Sequence, residues 1–203
     1  MLQLATFKGG YDDNFSYILY DDQTREAAII DTALEPSLLL KFIQENQLRL
    51  CFVVILHSHL DHVVGYDYYQ KNKIVVAASE HFRQKVDIKL KDNDTLLLGK
   101  HSLKILATPG HIYDCICILV EGKLFTSDTL FIDGCGRCDL AGANPEDLYT
   151  SLYLKILKLP DETIIYPGHD YGLVPYATLG EQKKTNFYLQ AKSKEEFMSG
   201  RMG

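Results

Sequence analysis

Cys51-Phe-Val-Val-Ile-Leu-His-Ser-His-Leu-Asp-His62 decides how this chain is read. An apolar run, Cys51 to Leu56, leads straight into three imidazoles and a carboxylate packed between His57 and His62. His57 and His59 are two apart, so in extended chain both rings project to one face. Asp61 and His62 follow where the chain should bend into a helix. A strand that ends in such a cluster predicts a metal site at its tip. Imidazole with carboxylate suits zinc or non-haem iron, whereas calcium and magnesium prefer all-oxygen shells.

On either side of this stretch, short apolar segments bounded by turn residues predict strands over 2–7, 15–20, 27–31 and 74–77 in the first half. A helix is expected over 35–47, where Pro36 comes early and Leu39, Phe42 and Ile43 are spaced for one face. Two more are expected over 61–70 and 79–86. The second half predicts strands over 95–98, 103–107, 115–120, 123–126 and 163–166. Asn144-Pro-Glu-Asp147 reads as a cap, a first-turn proline and an acidic first turn. It opens a helix whose Leu148, Leu152, Ile156 and Leu159 share a face until Pro160 stops it. Residues 180–198 read as C-terminal helical turns. The order predicts one domain over 1–203, two β-rich halves flanked by helices with their sheets face to face, and the cluster at the loop edge between them.

With 203 residues, the chain suits one well-buried domain. A formal net charge of -6 argues against nucleic acid as the main partner, because phosphate binding needs a basic face. No apolar run reaches membrane-spanning length, and the start lacks a basic region followed by an apolar core, so the cytoplasm is the expected compartment. Five cysteines, an odd number, fit a reducing compartment. Cys115 and Cys117 read as small apolar residues on one strand face. Cys135-Gly-Arg-Cys138 has the spacing of a redox or zinc pair, but no second pair completes a four-sulfur site. A reactive thiol near the site is the reading left for it.

Two further histidines stand in turn-like contexts after strands: Thr108-Pro-Gly-His111 and Pro167-Gly-His169. A Pro-Gly pair ends a strand and leaves the next side chain at the loop edge. Asp128, in Phe125-Thr-Ser-Asp128-Thr-Leu-Phe131, also follows a short apolar strand, where a carboxylate can bridge two cations. His81 and His101 lack such contexts and are assigned to a helix start and a surface turn.

Together, His57-x-His59-x-Asp61-His62, Thr-Pro-Gly-His111, Ser-Asp128-Thr-Leu-Phe and Pro-Gly-His169 resemble the ordered ligand set of the metallo-β-lactamase fold superfamily over nearly the whole chain. Gly134-Cys-Gly-Arg137 and Pro167-Gly-His-Asp-Tyr171 resemble its glyoxalase II and persulfide dioxygenase branches, and the acyl hydrolases of polyketide pathways are similar too. The resemblance implies an α/β, four-layer αβ/βα sandwich. In the glyoxalase II pattern His57, His59 and His111 hold one metal, Asp61, His62 and His169 a second, and Asp128 bridges them. That pattern implies two zinc ions, or iron or a mixed pair, hydrolysing a thioester through an activated water that Asp61 orients. The substrate would be a small-molecule thioester or thiol conjugate, or an acyl group on a carrier protein. The persulfide dioxygenase pattern uses only His57, His111 and Asp128 around a single ferrous iron. A third reading is a metal-binding protein without catalysis, although a structural zinc needs only four closed ligands.

The resemblance also places Arg137 near the substrate tail, where its fork suits a carboxylate or phosphate, and Tyr171 at the entrance. Two departures stand out. Where the family commonly continues with Thr-x-Gly after the turn histidine, this chain has Ile112-Tyr113-Asp114. Ser127 replaces the glycine that usually precedes the bridging Asp. Glyoxalase II adds a C-terminal helical domain for glutathione, for which this chain is too short.

Overall fold

A computed structural model describes residues 1–202. The first half folds into a six-stranded sheet whose strands lie side by side in chain order: β1 (Leu2–Gly9), β2 (Asn14–Asp21), β3 (Glu26–Ile30), β4 (Arg49–Ile55), β5 (Val76–Ser79) and β6 (Ile88–Leu90). Strands β3 to β6 pair in parallel, with α1 (Pro36–Glu45) and α2 (Tyr66–Lys71) as crossovers. The second sheet takes β7 (Thr95–Leu98), β8 (His101–Ala107), β9 (Ile116–Val120), β10 (Lys123–Ser127), β13 (Ile164–Pro167) and β14 (Ala177–Thr178), while β11 (Leu130–Phe131) pairs with β12 (Gly134–Cys135) as a small ribbon. The helices α3 (Pro145–Tyr149), α4 (Leu179–Thr185) and α5 (Lys194–Met202) belong to this half.

Period-two alternation explains the layering. Leu19, Ile30 and Val54 join Ile105, Ile118 and Phe125 in a core between the two sheets. Their chain neighbours Ile18, Ile29 and Val53 face the other way and pack with Leu39 and Ile43 of α1 and Tyr69 of α2. On the opposite flank Cys117, Leu124 and Ile165 meet Leu148, Leu152, Ile156 and Phe197. Strands buried on both faces read as unbroken apolar runs, as Phe52 to Leu56 does. Each fully buried Leu, Ile or Phe contributes about 1.5–3 kcal/mol through burial. The result is the expected αβ/βα sandwich.

Local chemistry sets the helix ends. Pro36 stands in the first turn of α1, and Leu48 N–H closes back onto Ile43 carbonyl at 2.9 Å after Gln47 turns left-handed. Asn144 caps α3 by accepting from Glu146 and Asp147 N–H. That helix then widens over Thr150–Lys155 and tightens over Ile156–Lys158, which still buries the expected Leu148, Leu152 and Ile156.

Four expectations are corrected. The stretch 79–86 is not a helix: β5 runs to Ser79, Phe82 drops into the core, and Lys89 Nζ ties down the carbonyls of Glu80 and Phe82 at 3.0 Å. Consequently His81 lies in a turn, not at a helix start. The helix expected over 61–70 begins only at Tyr66, because Val63 bridges to Thr32, whose hydroxyl donates to His62 carbonyl at 2.7 Å. His101 is buried and opens β8, its ring held between Asp21 (2.9 Å) and Glu121 (2.5 Å), so it is no surface-turn residue.

Candidate metal centre

His57, His111, Asp128 and His169 stand at or just past the ends of β4, β8, β10 and β13, on one edge of the sandwich. Backbone bonds between and within the sheets pin this edge: Ile116 N–H to Leu56 carbonyl at 2.9 Å and Phe15 N–H to Gly168 carbonyl at 2.8 Å between them, and Asp31 N–H to Val54 carbonyl at 3.0 Å within the first. His59 follows His57 in extended chain, and the tight turn Leu60–His62 then swings Asp61 and His62 to the neighbouring position.

All seven side chains singled out in the sequence converge here, in two groups: His57, His59, His111 and Asp128, and Asp61, His62 and His169. Asp128 faces both. Its Oδ2 lies 3.4 Å from His111 Nε2 and 3.9 Å from His57 Nε2, and its Oδ1 lies 3.3 Å from His62 Nε2 and 3.4 Å from His169 Nε2. Asp61 Oδ2 is 3.4 Å and 3.6 Å from the same two nitrogens, and Asn14 Nδ2 donates to it at 3.0 Å.

These groups fit metal cations. His57 Nε2 and Asp128 Oδ1 are buried without a hydrogen bond, a costly state unless a cation takes their lone pairs. His111 Nε2 meets His59 Nδ1 at 2.8 Å, and His62 Nε2 meets His169 Nε2 at 3.1 Å. The outer nitrogens set where each neutral ring carries its proton. His111 Nδ1 donates to Arg137 carbonyl at 2.9 Å and His169 Nδ1 to Asp12 carbonyl at 2.7 Å, which places their protons away from the centre. His62 Nδ1 donates to Asp31 Oδ1 at 2.8 Å. The other oxygen of Asp31 receives the Ser127 hydroxyl at 2.6 Å, and that hydroxyl receives His57 Nδ1 at 3.1 Å.

Burial pulls His57, His59 and His111 below the ordinary imidazole range, so they stand neutral. His62 goes the other way. Burial is the largest single influence on it, but Asp31 and Asp128 together outweigh burial and raise it well above its usual value. Burial also opposes the charge on Asp128 and Asp61, yet the surrounding imidazoles hold both carboxyls below their usual range.

Sequence reading missed Asp31 and Asn14 and gave Ser127 no role. Asp31 carries the same signal as Asp128, a carboxylate directly after a short apolar strand; Asn14 carries none. Ser127 sits at φ +43, where glycine is the easier residue, and its hydroxyl links Asp31 to His57. Arg137 forms a fork to Asp139, at 2.7 Å and 2.6 Å, on the exposed loop. Tyr171 stacks on His169 with ring centres 4.7 Å apart and donates to Asp12. Both nevertheless line the groove over the centre. That groove, of about 580 Å³, is walled by Tyr11, Leu60, Val64 and Leu140. A second cavity of about 360 Å³ also reaches His111 and Asp128 and adds Tyr188 and Arg201. Burial pushes the Cys135 thiol up to about 12 and the Cys138 thiol up to about 11, which argues against a reactive pair.

Residues 77–169 match the family model described as metallo-beta-lactamase superfamily. A probable polyketide biosynthesis zinc-dependent hydrolase, BaeB of Bacillus velezensis, is 31% identical over 93% of this chain and 87% of its own length. The chain belongs to the metallo-β-lactamase superfamily. Other members of the superfamily similar to it are the hydroxyacylglutathione hydrolase of Dictyostelium discoideum, 34% identical over 90% of this chain and 74% of that protein, and the mitochondrial persulfide dioxygenase ETHE1 of Homo sapiens, 33% identical over 91% and 74%. The crystal structure of ETHE1 from Myxococcus xanthus superposes with a TM-score of 0.93 at 31% identity, covering 99% of this chain and 90% of that one. Hydrolases and a dioxygenase both stand among these relatives, and this chain brings together a His/Asp cluster able to hold metal. Among the described residues no helix is long and apolar enough to cross a membrane.

Proposed function

We propose that this protein is a two-metal hydrolase of thioesters. One observation carries the reading: Asp128 turns one oxygen to each of two adjoining ligand groups, an arrangement that suits a bridged pair of cations. Cations held by these residues would lower the pKa of a bound water and polarise a carbonyl oxygen. The chain supplies the rest. Asp61, kept ionised and held by Asn14, reaches the groove and accepts or orients a proton of the attacking water. Asp31, Ser127, Asp12 carbonyl and Arg137 carbonyl fix the rings that face the reacting atoms. A departing thiolate is stable enough to need no strong general acid.

The two cavities give the substrate a polarity. Leu60 and Tyr11 stand 87% and 96% exposed beside the centre, a wall suited to an apolar acyl group. Arg201 in the second cavity, with Arg137 bordering both, suits an anionic thiol carrier, whether glutathione, coenzyme A or a carrier-protein arm. The single-iron persulfide dioxygenase reading is the alternative, favoured by the likeness to ETHE1.

Metal analysis of the purified protein, paired with assays on acyl-thioesters and on glutathione persulfide with oxygen uptake, separates them. Two metals per chain and thioester cleavage are expected. One iron, oxygen consumption and no cleavage would overturn the hydrolase reading. His59→Ala should abolish hydrolysis, whereas a centre of His57, His111 and Asp128 alone keeps its iron.

A further inference from the structure

Four of the five histidines at the centre have their outer nitrogen engaged, by Ser127, Asp31, Arg137 carbonyl and Asp12 carbonyl. His59 is the exception. Its Nδ1 faces His111 Nε2, and its Nε2 makes no hydrogen bond among the described residues. Metal-binding imidazoles almost always donate that second N–H to a carboxylate, a carbonyl or water, which fixes the tautomer and aims the ring.

An unmatched acceptor is tied to the segment that carries it. Asp114 is 1% exposed, its Oδ2 has no partner, and its Oδ1 accepts the Ser58 N–H at 3.4 Å. The carboxylate is thus attached to the chain segment between His57 and His59. Burial, offset only in part by hydrogen bonds from Ser58, pushes its carboxyl up. Asp114 is also one of the positions where this chain departs from the Thr-x-Gly that the family commonly has.

We propose that Asp114 is the positioning residue of His59: its free oxygen accepts the His59 Nε2 proton, locks the ring with Nδ1 bare, and strengthens binding at the group that His59 shares with His57, His111 and Asp128. The inference rests on metal binding and not on the reaction catalysed. A wild-type chain that binds no metal defeats the metal centre itself, whereas a metal-binding wild type whose variants behave alike defeats only this assignment.

The test is Asp114→Asn beside Asp114→Ala, titrated with zinc against a chromophoric chelator. Asn keeps one acceptor and can still satisfy Ser58, so a purely structural role leaves Asp114→Asn at wild-type affinity. It cannot also serve His59. The expected result is a loss of about 10–100-fold in zinc affinity at one of the two sites in Asp114→Asn, with the other unchanged. In zinc-loaded wild type, nitrogen-15 spectra should show a slowly exchanging His59 Nε2 proton that shifts upfield and exchanges faster in the variant. Wild-type zinc affinity at both sites with an unmoved His59 signal overturns the proposal. Thermal melting of each variant checks the fold, and if Asp114→Ala fails to fold, Asp114→Asn alone decides.

Discussion

Replacing Asp31 by Asn perturbs the centre while leaving its seven converging groups in place. Asp31 is completely buried, and its two oxygens take His62 Nδ1 at 2.8 Å and the Ser127 hydroxyl at 2.6 Å. Because that hydroxyl gives its proton to Asp31, it can only receive from His57 Nδ1, which leaves His57 Nε2 bare toward the cation. An amide has one accepting oxygen. If that oxygen stays on His62, the amide N–H faces Ser127, the hydroxyl turns to donate to His57 Nδ1, and the His57 proton moves to Nε2 to compete with the metal. If the amide is flipped, its N–H opposes the N–H of His62. Either way one ring loses its metal-ready tautomer. Loss of such an outer partner costs about 10–100-fold in metal affinity, or about 1.4–2.8 kcal/mol at the usual conversion. Ala is the wrong choice here, since it would strand two buried donors at about 1–3 kcal/mol each, against a typical total stability of about 5–15 kcal/mol. Asn also accepts the left-handed backbone at φ +62. Chelator competition with metal analysis measures the loss, and a melt of the metal-free variant checks the fold. A folded Asp31→Asn that binds both metals with wild-type affinity refutes the reasoning.

Three further outcomes follow from the same geometry. Because His62 is held above its ordinary value, the metal-free protein carries a proton there near neutral pH, and a cation must displace it. Affinity of its group should therefore rise with pH until the raised value is passed, with proton release visible by calorimetry in buffers of different ionisation enthalpy; zero release would sink this. In the metal-free chain the same raised value contributes stability that is full below about pH 6.5 and lost as pH climbs through the folded value. Finally, a Cβ at Gly168 would stand 2.5 Å from Asp128 Oδ1 and 3.0 Å from His62 Cε1. Gly168→Ala should cost about 1–3 kcal/mol through overpacking and lower the metal-to-protein ratio, and a variant with full metal content contradicts the tight fit.

The sequence by itself determined the longer strands but not the two- and three-residue ones, because runs such as Phe52 to Leu56 and Cys115 to Val120 are apolar on both faces and only burial between two layers accounts for that. It also determined the type and chain position of the seven converging groups, since each follows an apolar strand or a Pro-Gly turn, and these are local signals. Only the tertiary structure decided the pairings across the fold. Asp31 meets residues 62 and 127, Asn14 meets 61, and His101 lies between 21 and 121, none of which any periodicity links. The stretch 79–86 shows the same limit, since its composition suits a helix while the burial of Phe82 and the Lys89 contacts hold it irregular. Strand and turn signals come from neighbours in the chain. Hydrogen-bond partners in a buried polar centre are selected by which sheet edges meet, and in this protein that meeting brings residues from 12 to 169 within reach of one another.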